Sequence, residues 1–226
     1  MTLEELRQHC QARTAEGLAY LERYTPTFVA DALACLATPL GTYIAFTDSA
    51  DVSAIDVAGH RIAVYANLLW ARLSKWQTVE CDLLAWTTRN VLETHLWARF
   101  ATSSEENAKA FISEADIDQK ELFNAFLQQG DPRDIGHAVV SVLADRIGGK
   151  RTAVRAENTD DPLLHKQCSK YVHATAWIIN GFDRHMNDEY VRRQLVAFSL
   201  HHLAEITRSL LESNHETVGI LCGEPN

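Results

Sequence analysis

Apolar residues recur three and four positions apart along most of the chain, and runs that alternate apolar with polar residues are absent. The first spacing places side chains on one face of an α-helix, whereas alternation would place them on one face of a β-strand. Only five prolines interrupt the 226 residues. The sequence therefore predicts an all-α fold, a multi-helix bundle in which residues 1–226 form a single domain.

Proline, glycine and capping residues divide this pattern into predicted helices. Thr25-Pro26 ends the first predicted helix, at residues 2–24, and starts the second, which includes residues 28–46 and has a break near Pro39. The other predicted helices cover 52–77, 79–101, a segment from a capping box at 102–106 to Gly130, 131–149, a segment through Tyr171 to Ile179, and 185–213. Residues 148–162 have no apolar period and are predicted to form a long loop. The helical layers on the two sides of this loop need each other's apolar faces, so one domain is predicted rather than two subdomains. Within that domain, the helices of residues 1–78 are predicted to form a sub-layer.

The overall charge limits the classes of partner. The formal net charge is −9, and a phosphate backbone binds a basic field, so non-specific nucleic-acid binding is excluded while a small site with local arginines is not. The five cysteines are scattered and form no C-x-x-C pair, which is typical of reduced thiols in a cytosol. The start of the chain has no apolar signal region, and residues 28–46 are interpreted as a buried helix rather than a membrane span. The predicted location is cytoplasmic.

The segment WTTRNVLETHLWARF, residues 86–100, carries three unusual polar side chains on a helix that is apolar on nearly every side. They are Arg89, Asn90 and His95. An unpaired guanidinium in such surroundings is costly, so Arg89 needs a partner. In a structural interpretation that partner is Glu93, in an i,i+4 ion pair that fills a polar gap in the core, and His95 is a hydrogen-bonded imidazole near the helix surface.

A functional interpretation starts from RNA chemistry. RNA is cut without a metal when its 2′-hydroxyl attacks the adjacent phosphate, which needs a proton-transfer group near neutral pKa and a fixed cation. Histidine and arginine suit these two tasks, and an amide beside the arginine can orient either group.

RNVLETH, residues 89–95, resembles the signature of the HEPN (higher eukaryotes and prokaryotes nucleotide-binding) superfamily: Arg, a polar residue, and His after a short spacer. That resemblance implies an all-helical, HEPN-like, homodimeric protein with metal-independent ribonuclease activity, as in toxin–antitoxin and phage-defence systems, and a composite site across the dimer. It implies that His95 is the general acid/base, Arg89 the phosphate binder and Asn90 the orienting residue.

A second resemblance covers residues 83–127 and 169–177. These segments are similar to a prokaryotic all-helical family of unknown function that has an R-x-x-x-E helix and a later aromatic-x-H-P-[ST] segment. Here Tyr171, His173 and Thr175 match that later segment, while Ala174 stands where proline is usual. This resemblance implies that Arg89, Glu93 and His173 converge, with His95 incidental.

Two further groups of polar residues are interpreted as structural. His201, His202 and Glu205 lie on the last helix, but only one Glu-x-x-His occurs in the chain, so neither a metal nor another cofactor is predicted. Residues 182–193 are interpreted as a solvated face with a Glu189–Arg193 ion pair, and the alternative is that their arginines contact RNA or a partner.

The sequence leaves two functions open. The first is a cytosolic, homodimeric endoribonuclease that acts as a toxin or phage-defence effector, with RNA and an antitoxin or other protein as partners. The second is a non-catalytic helical module that binds a protein or senses a nucleotide.

Overall fold

The computed structural model describes residues 3–48, 53–129, 139, 141, 162–172 and 188–214. In this part of the chain the regular structure is helical and contains no strand, which confirms the all-α prediction. The helices are α1 (Leu3–Glu22), α2 (Pro26–Thr47), α3 (Ala54–Leu73), α4 (Cys81–Ala101), α5 (Glu105–Gln129), α6 (Pro162–Val172) and α7 (Glu189–Glu212). The predicted helix at 131–149 and the loop at 148–162 lie outside the described ranges, apart from single residues.

Side-chain caps fix where several of these helices begin. Thr25 accepts a hydrogen bond from the backbone N–H of Phe28, and proline follows it at the first helical position, as the sequence predicts for the start of α2. Ser53 and Asp56 form a reciprocal capping box at the start of α3. The Asp188 side chain accepts hydrogen bonds from the backbone N–H groups of Tyr190 and Val191, which sets the start of α7.

The capping box predicted at 102–106 is wrong. Thr102 and Ser103 instead donate their hydroxyls to the last carbonyls of α4, at Ala98 (2.7 Å) and Phe100 (2.7 Å). The cap of α5 is Ser104, whose hydroxyl oxygen accepts from the backbone N–H three residues on. Because α4 continues to residue 101, its C-terminus engages the two hydroxyls that the sequence assigned to the next helix.

The predicted break of α2 at Pro39 is also wrong, because the helix runs through it to Thr47. An interior proline costs ~3 kcal/mol through a lost hydrogen bond and a steric clash. Full burial of Leu40 and Tyr43 immediately after the proline offsets this cost. Within the helix one stripe is buried, formed by Val29, Leu33, Leu40, Tyr43 and Thr47.

The remaining surface of α2 is less buried than the sequence predicts. Its most apolar 18 residues have a mean hydropathy of 1.5, and 22% of that window is buried inside the protein. By length and composition alone α2 is therefore able to cross a membrane, a test that core helices and signal sequences also pass. The cytoplasmic location stays a prediction.

Helix α4 lies at the centre of the described structure and contacts α3, α5, α6 and α7. Its side toward α7 is closely packed. Thr88 donates to the carbonyl of Leu84 (2.9 Å), and its oxygen accepts from the hydroxyl of Ser199 on α7 (2.9 Å). Buried leucines and valines surround this polar contact. The apolar residues around most of its circumference account for this central position.

Two contacts hold the neighbouring elements at short range. Gly59 of α3 lies against the Tyr43 ring of α2, where an added Cβ would stand 2.1 Å from the phenol oxygen. Burial raises the pKa of Tyr43 to about 12.

Arg192 of α7 is buried and donates to the carbonyls of Trp76 (2.8 Å) and Val79, so it fixes the turn between α3 and α4. It is therefore not part of a solvated face, whereas its neighbour Arg193 pairs with Glu189 at 2.8 Å as predicted.

Candidate functional site

Arg89 and Glu93 form the ion pair that the structural interpretation predicts. The Arg89 Nε lies 2.8 Å from the Glu93 Oε1. The two side chains are 27% and 40% exposed, so the pair lies at a partly open surface rather than in the core. The guanidinium thus has a local carboxylate partner, and solvent screens the pair.

Asn90 is held by two hydrogen bonds, one within α4 and one that joins α4 to α3. Its Nδ2 donates to the carbonyl of Trp86 (2.7 Å), and its Oδ1 accepts from the Tyr65 hydroxyl (2.9 Å). Asn90 and Glu93 also line a small cleft of about 240 Å³ between α3, α4 and α5. The residues lining this cleft are Arg61, Ile62, Tyr65, Asn90, Glu93, Thr94, Trp97 and Phe111.

His95 points instead toward α7. Its Nδ1 lies 3.0 Å from the Nδ1 of His202, and the ring centroids are 5.2 Å apart. Both rings are buried, with exposed fractions of 7% and 6%. One Nδ1 must donate and the other must accept, so each ring fixes the tautomer of the other. The interpretation of His95 as an imidazole near the helix surface is therefore wrong.

The predicted site residues are thus divided between two sides of α4. Arg89 is paired with Glu93, and His95 is paired with His202. His95 follows Arg89 by six positions, which corresponds to roughly 120° around a helix. His173 lies outside the described residues, and with it the predicted convergence of Arg89, Glu93 and His173.

A larger cleft lies between α1 and α7, and His202 forms part of its wall. We call it the α1–α7 cleft; its volume is about 460 Å³. It is lined by Gly17, Tyr20, Leu21, Tyr190, Gln194, Ala197, Phe198, His201 and His202. Among these described residues none is Lys, Arg, Asp or Glu. The volume lies in the usual range for small-molecule sites in proteins.

The walls of the α1–α7 cleft combine flat apolar rings with a few polar groups. Tyr20, Tyr190 and Phe198 supply aromatic surface. His201 and Gln194 supply donors and acceptors, and His202 contributes part of its ring while its Nδ1 is engaged by His95. The Gln194 side-chain oxygen accepts from Gln167 of α6 (3.1 Å), which orients its amide. Such a lining suits a planar, uncharged group with hydrogen-bonding edges.

The sequence does not identify this cleft. It singles out the neighbouring histidines His201 and His202, but the other wall comes from α1, more than 170 residues away in the chain. No local pattern in residues 17–21 predicts which helix they contact. The adjacent histidines on the predicted last helix are the one signal in the sequence that points to the site.

The described ranges contain no group of three or more His, Cys, Asp or Glu side chains that could hold a metal ion. Glu205, the carboxylate nearest in sequence to the two histidines, pairs with Arg208.

The chain matches no protein-family model, no curated protein and no solved structure. The two family resemblances therefore rest on the motif residues alone.

Proposed function

We propose that the protein is a non-catalytic sensing module that binds a nucleoside or nucleotide through its base in the α1–α7 cleft. The observation that carries this proposal is the cleft itself: about 460 Å³, walled by aromatic rings and edged by His201, His202 and Gln194. Bases stack well on such rings, and each stacked base contributes ~1–3 kcal/mol in single-stranded nucleic-acid complexes.

The charge of the cleft favours recognition of the base over recognition of phosphate. Phosphate sites use Arg, Lys or a helix N-terminus, and the described lining contains neither of the two basic residue types. The chain is also acidic overall, with a net charge of −9. A phosphate on the ligand would therefore lie outside the cleft and add little affinity.

His95 acts in this proposal through His202. Its ring is buried behind that of His202 and holds it by the 3.0 Å Nδ1–Nδ1 hydrogen bond. The bond fixes the orientation and tautomer of the His202 ring that lines the cleft. His95 is thus a positioning residue, and His202 contacts the ligand.

The direct test is calorimetric titration of the protein with the four common ribonucleosides and their monophosphates. Gly17 lines the cleft and has open space around its Cβ position, so the Cβ of Gly17→Leu meets no atom of the fold and the added side chain takes up space at the cleft wall. We expect one or more nucleosides to bind and the variant to lose at least tenfold in affinity, since ~1.4 kcal/mol corresponds to a factor of ten. Gly41→Leu, which also adds a side chain at an open helical position, is the matched control.

The proposal fails if no nucleoside or monophosphate binds, or if Gly17→Leu binds as well as the wild type. A monophosphate that binds much more tightly than its nucleoside would contradict the argument that the base is the recognised group.

A second candidate is the metal-independent ribonuclease implied by the HEPN resemblance. The observation that favours it is the His95–His202 pair, two imidazoles 3.0 Å apart with one ring at an open cleft, because acid–base cleavage of RNA uses such groups. The phosphate-binding cation is the difficulty, since Arg89 is engaged with Glu93. In this candidate a second protomer supplies it.

This candidate is tested by light scattering for a dimer and by incubation of varied RNAs in EDTA. Cleavage that is lost in His95→Gln, His202→Gln and Arg89→Gln alike, with thermal stability retained, supports the enzyme. Arg208→Gln, an exposed arginine on α7, is the control that should leave cleavage unchanged. A dimer with no cleavage, or cleavage that survives His202→Gln, rejects it.

A further inference from the structure

An exposed apolar groove runs between α3 and α4, away from the residues of the α1–α7 cleft. We call it the α3–α4 groove; its volume is about 440 Å³. Its apolar walls include Leu68, Val79, Leu83 and Trp86, and three of these, the two leucines and the tryptophan, are exposed to solvent. Soluble proteins rarely leave such a continuous apolar surface open unless something binds there.

Two cations lie in this groove. The Arg72 guanidinium carbon stands 4.5 Å from the centroid of the Trp86 ring, and its buried Nη1 has no hydrogen-bond partner among the described residues. Lys75, in the turn that follows α3, is exposed at the edge. No acidic side chain lines the groove within the described ranges. The groove is thus locally positive in a protein whose net charge is −9.

An unpaired buried guanidinium N–H is costly, and a carboxylate is its best partner. The Trp86 ring holds the guanidinium at the groove wall, but the Nη1 is buried, so a ligand carboxylate reaches that N–H only after the Arg72 side chain turns toward the groove. The chemistry of the groove therefore calls for a carboxylate placed beside an apolar surface.

The length of the surface indicates the kind of ligand. The exposed apolar surface continues past the groove to Val64, which is exposed, so the surface follows α3 from Val64 to the end of the helix at Leu73, and Lys75 lies just beyond it. Nine residue steps of helix span roughly 14 Å, which is about two and a half turns. A small molecule would fill the groove alone, whereas an amphipathic helix would cover the whole surface.

We propose that the α3–α4 groove binds an amphipathic helix of a partner protein. The helix places apolar side chains on Leu68, Leu83 and Trp86, and a carboxylate on the Arg72 guanidinium, with Lys75 as a second cation at the edge. A second copy of this chain complements the surface poorly. In a symmetric dimer through this face, the two grooves would face each other, and each would bring two cations and no acid to the other.

The test is selection from a displayed library of amphipathic helices of about 16 residues, a length sufficient for this surface. Leucines are fixed at i, i+3, i+4 and i+7, and the flanking positions vary among Glu, Lys and Gln. We expect selection on the wild-type protein to enrich Glu beside the leucines. A synthetic peptide of the enriched sequence should bind with a change in tryptophan fluorescence, at least tenfold more weakly to Arg72→Gln, because a charge-assisted hydrogen bond is lost.

Leu83→Glu should weaken the same peptide at least as much, since it places an acid in the groove. Leu122→Glu, at an exposed leucine of α5, is the matched control and should bind as the wild type does. Lys75→Gln is a second charge variant that leaves the guanidinium–tryptophan contact intact.

Enrichment of Lys or Gln over Glu overturns the proposal, as does a selected peptide that binds Arg72→Gln, Lys75→Gln and Leu83→Glu like the wild type. A wild-type dimer that Leu83→Glu converts to a monomer also overturns it, because the surface then belongs to a second copy. None of these results depends on whether a nucleoside binds in the α1–α7 cleft.

Discussion

The two sides of α4 carry similar polar side chains, but these differ in burial and in the location of their hydrogen-bond partners. On the side of Arg89 and Asn90, each polar side chain pairs with a residue four positions away on the same helix, Asn90 also accepts from Tyr65 of α3, and the groups stay partly open to solvent. On the side toward α7, Thr88 and His95 are buried and pair with groups on α7 that lie 107 or more residues away in sequence. A local pair requires only its own helix, whereas a buried pair between helices requires the packed fold. The α7 side should therefore be the more sensitive to substitution.

The largest expected effect is at Arg192, which belongs to the α7 side. Arg192→Met removes the donors to two carbonyls of the 74–79 turn, at Trp76 and Val79. We expect the free energy of unfolding to fall by about 3 kcal/mol, because buried acceptors lose their charged partner. Urea denaturation measures the change.

Arg193→Met is the control for that substitution, because the adjacent arginine forms only an exposed i,i+4 pair with Glu189. Its cost should be below about 0.5 kcal/mol. Equal costs for the two neighbours would break the distinction between distant and local pairs.

The contact between α2 and α3 extends the comparison to backbone spacing. Gly59→Ala drives a methyl group into the buried Tyr43 ring and should destabilise the fold by about 1–3 kcal/mol, even though alanine favours helix. Gly41→Ala meets open space in α2 and should stabilise by about 0.5–1 kcal/mol. Thermal unfolding should therefore show shifts of opposite sign, and stabilisation by both variants would contradict the close approach.

Thr88 and Thr87 provide an intermediate test, because they are adjacent, both buried, and differ in partners. Thr88→Val leaves the Ser199 hydroxyl without its acceptor and should cost about 1–2 kcal/mol. Thr87 donates only to the Leu83 carbonyl of its own helix in the described contacts, so Thr87→Val should change stability by less than about 0.5 kcal/mol. Chemical denaturation of the two variants under one set of conditions measures the difference.

The smallest effect should follow loss of the Arg89–Glu93 pair. Arg89→Gln removes an ion pair whose members are 27% and 40% exposed, so we expect a cost of at most about 0.5 kcal/mol that shrinks further as salt is added. Stability measured at low and high salt tests this. A large, salt-independent loss would mean that Arg89 has a role in the fold that its local pair does not explain.

The same distinction explains what the sequence predicts and what it does not. The Arg89–Glu93 and Glu189–Arg193 pairs follow from i,i+4 spacing, and the start of α2 follows from Thr25 and Pro26. The His95–His202 contact and the lining of the α1–α7 cleft depend on which helices pack together, and no local spacing encodes that.

The helix boundaries show a related limit of local patterns. Pro39 satisfies the local rule for a helix break, but tertiary burial of the following turn keeps α2 continuous. Thr102 and Ser103 satisfy the rule for a capping box, but their hydroxyls donate instead to carbonyls at the end of the preceding helix. In both places a neighbouring element determines which of two locally acceptable structures forms.

The imidazole NMR signals of His95 and His202 provide the most direct test of the central claim, that His202 senses a ligand in the α1–α7 cleft while His95 positions it. During titration with the nucleoside that binds best, both rings should shift together at one affinity, the Asn90 side-chain amide should stay unchanged, and Gly17→Leu should abolish the shifts. Shifts of the Asn90 amide with both histidine rings unmoved would place the ligand on the other side of α4 and contradict the account.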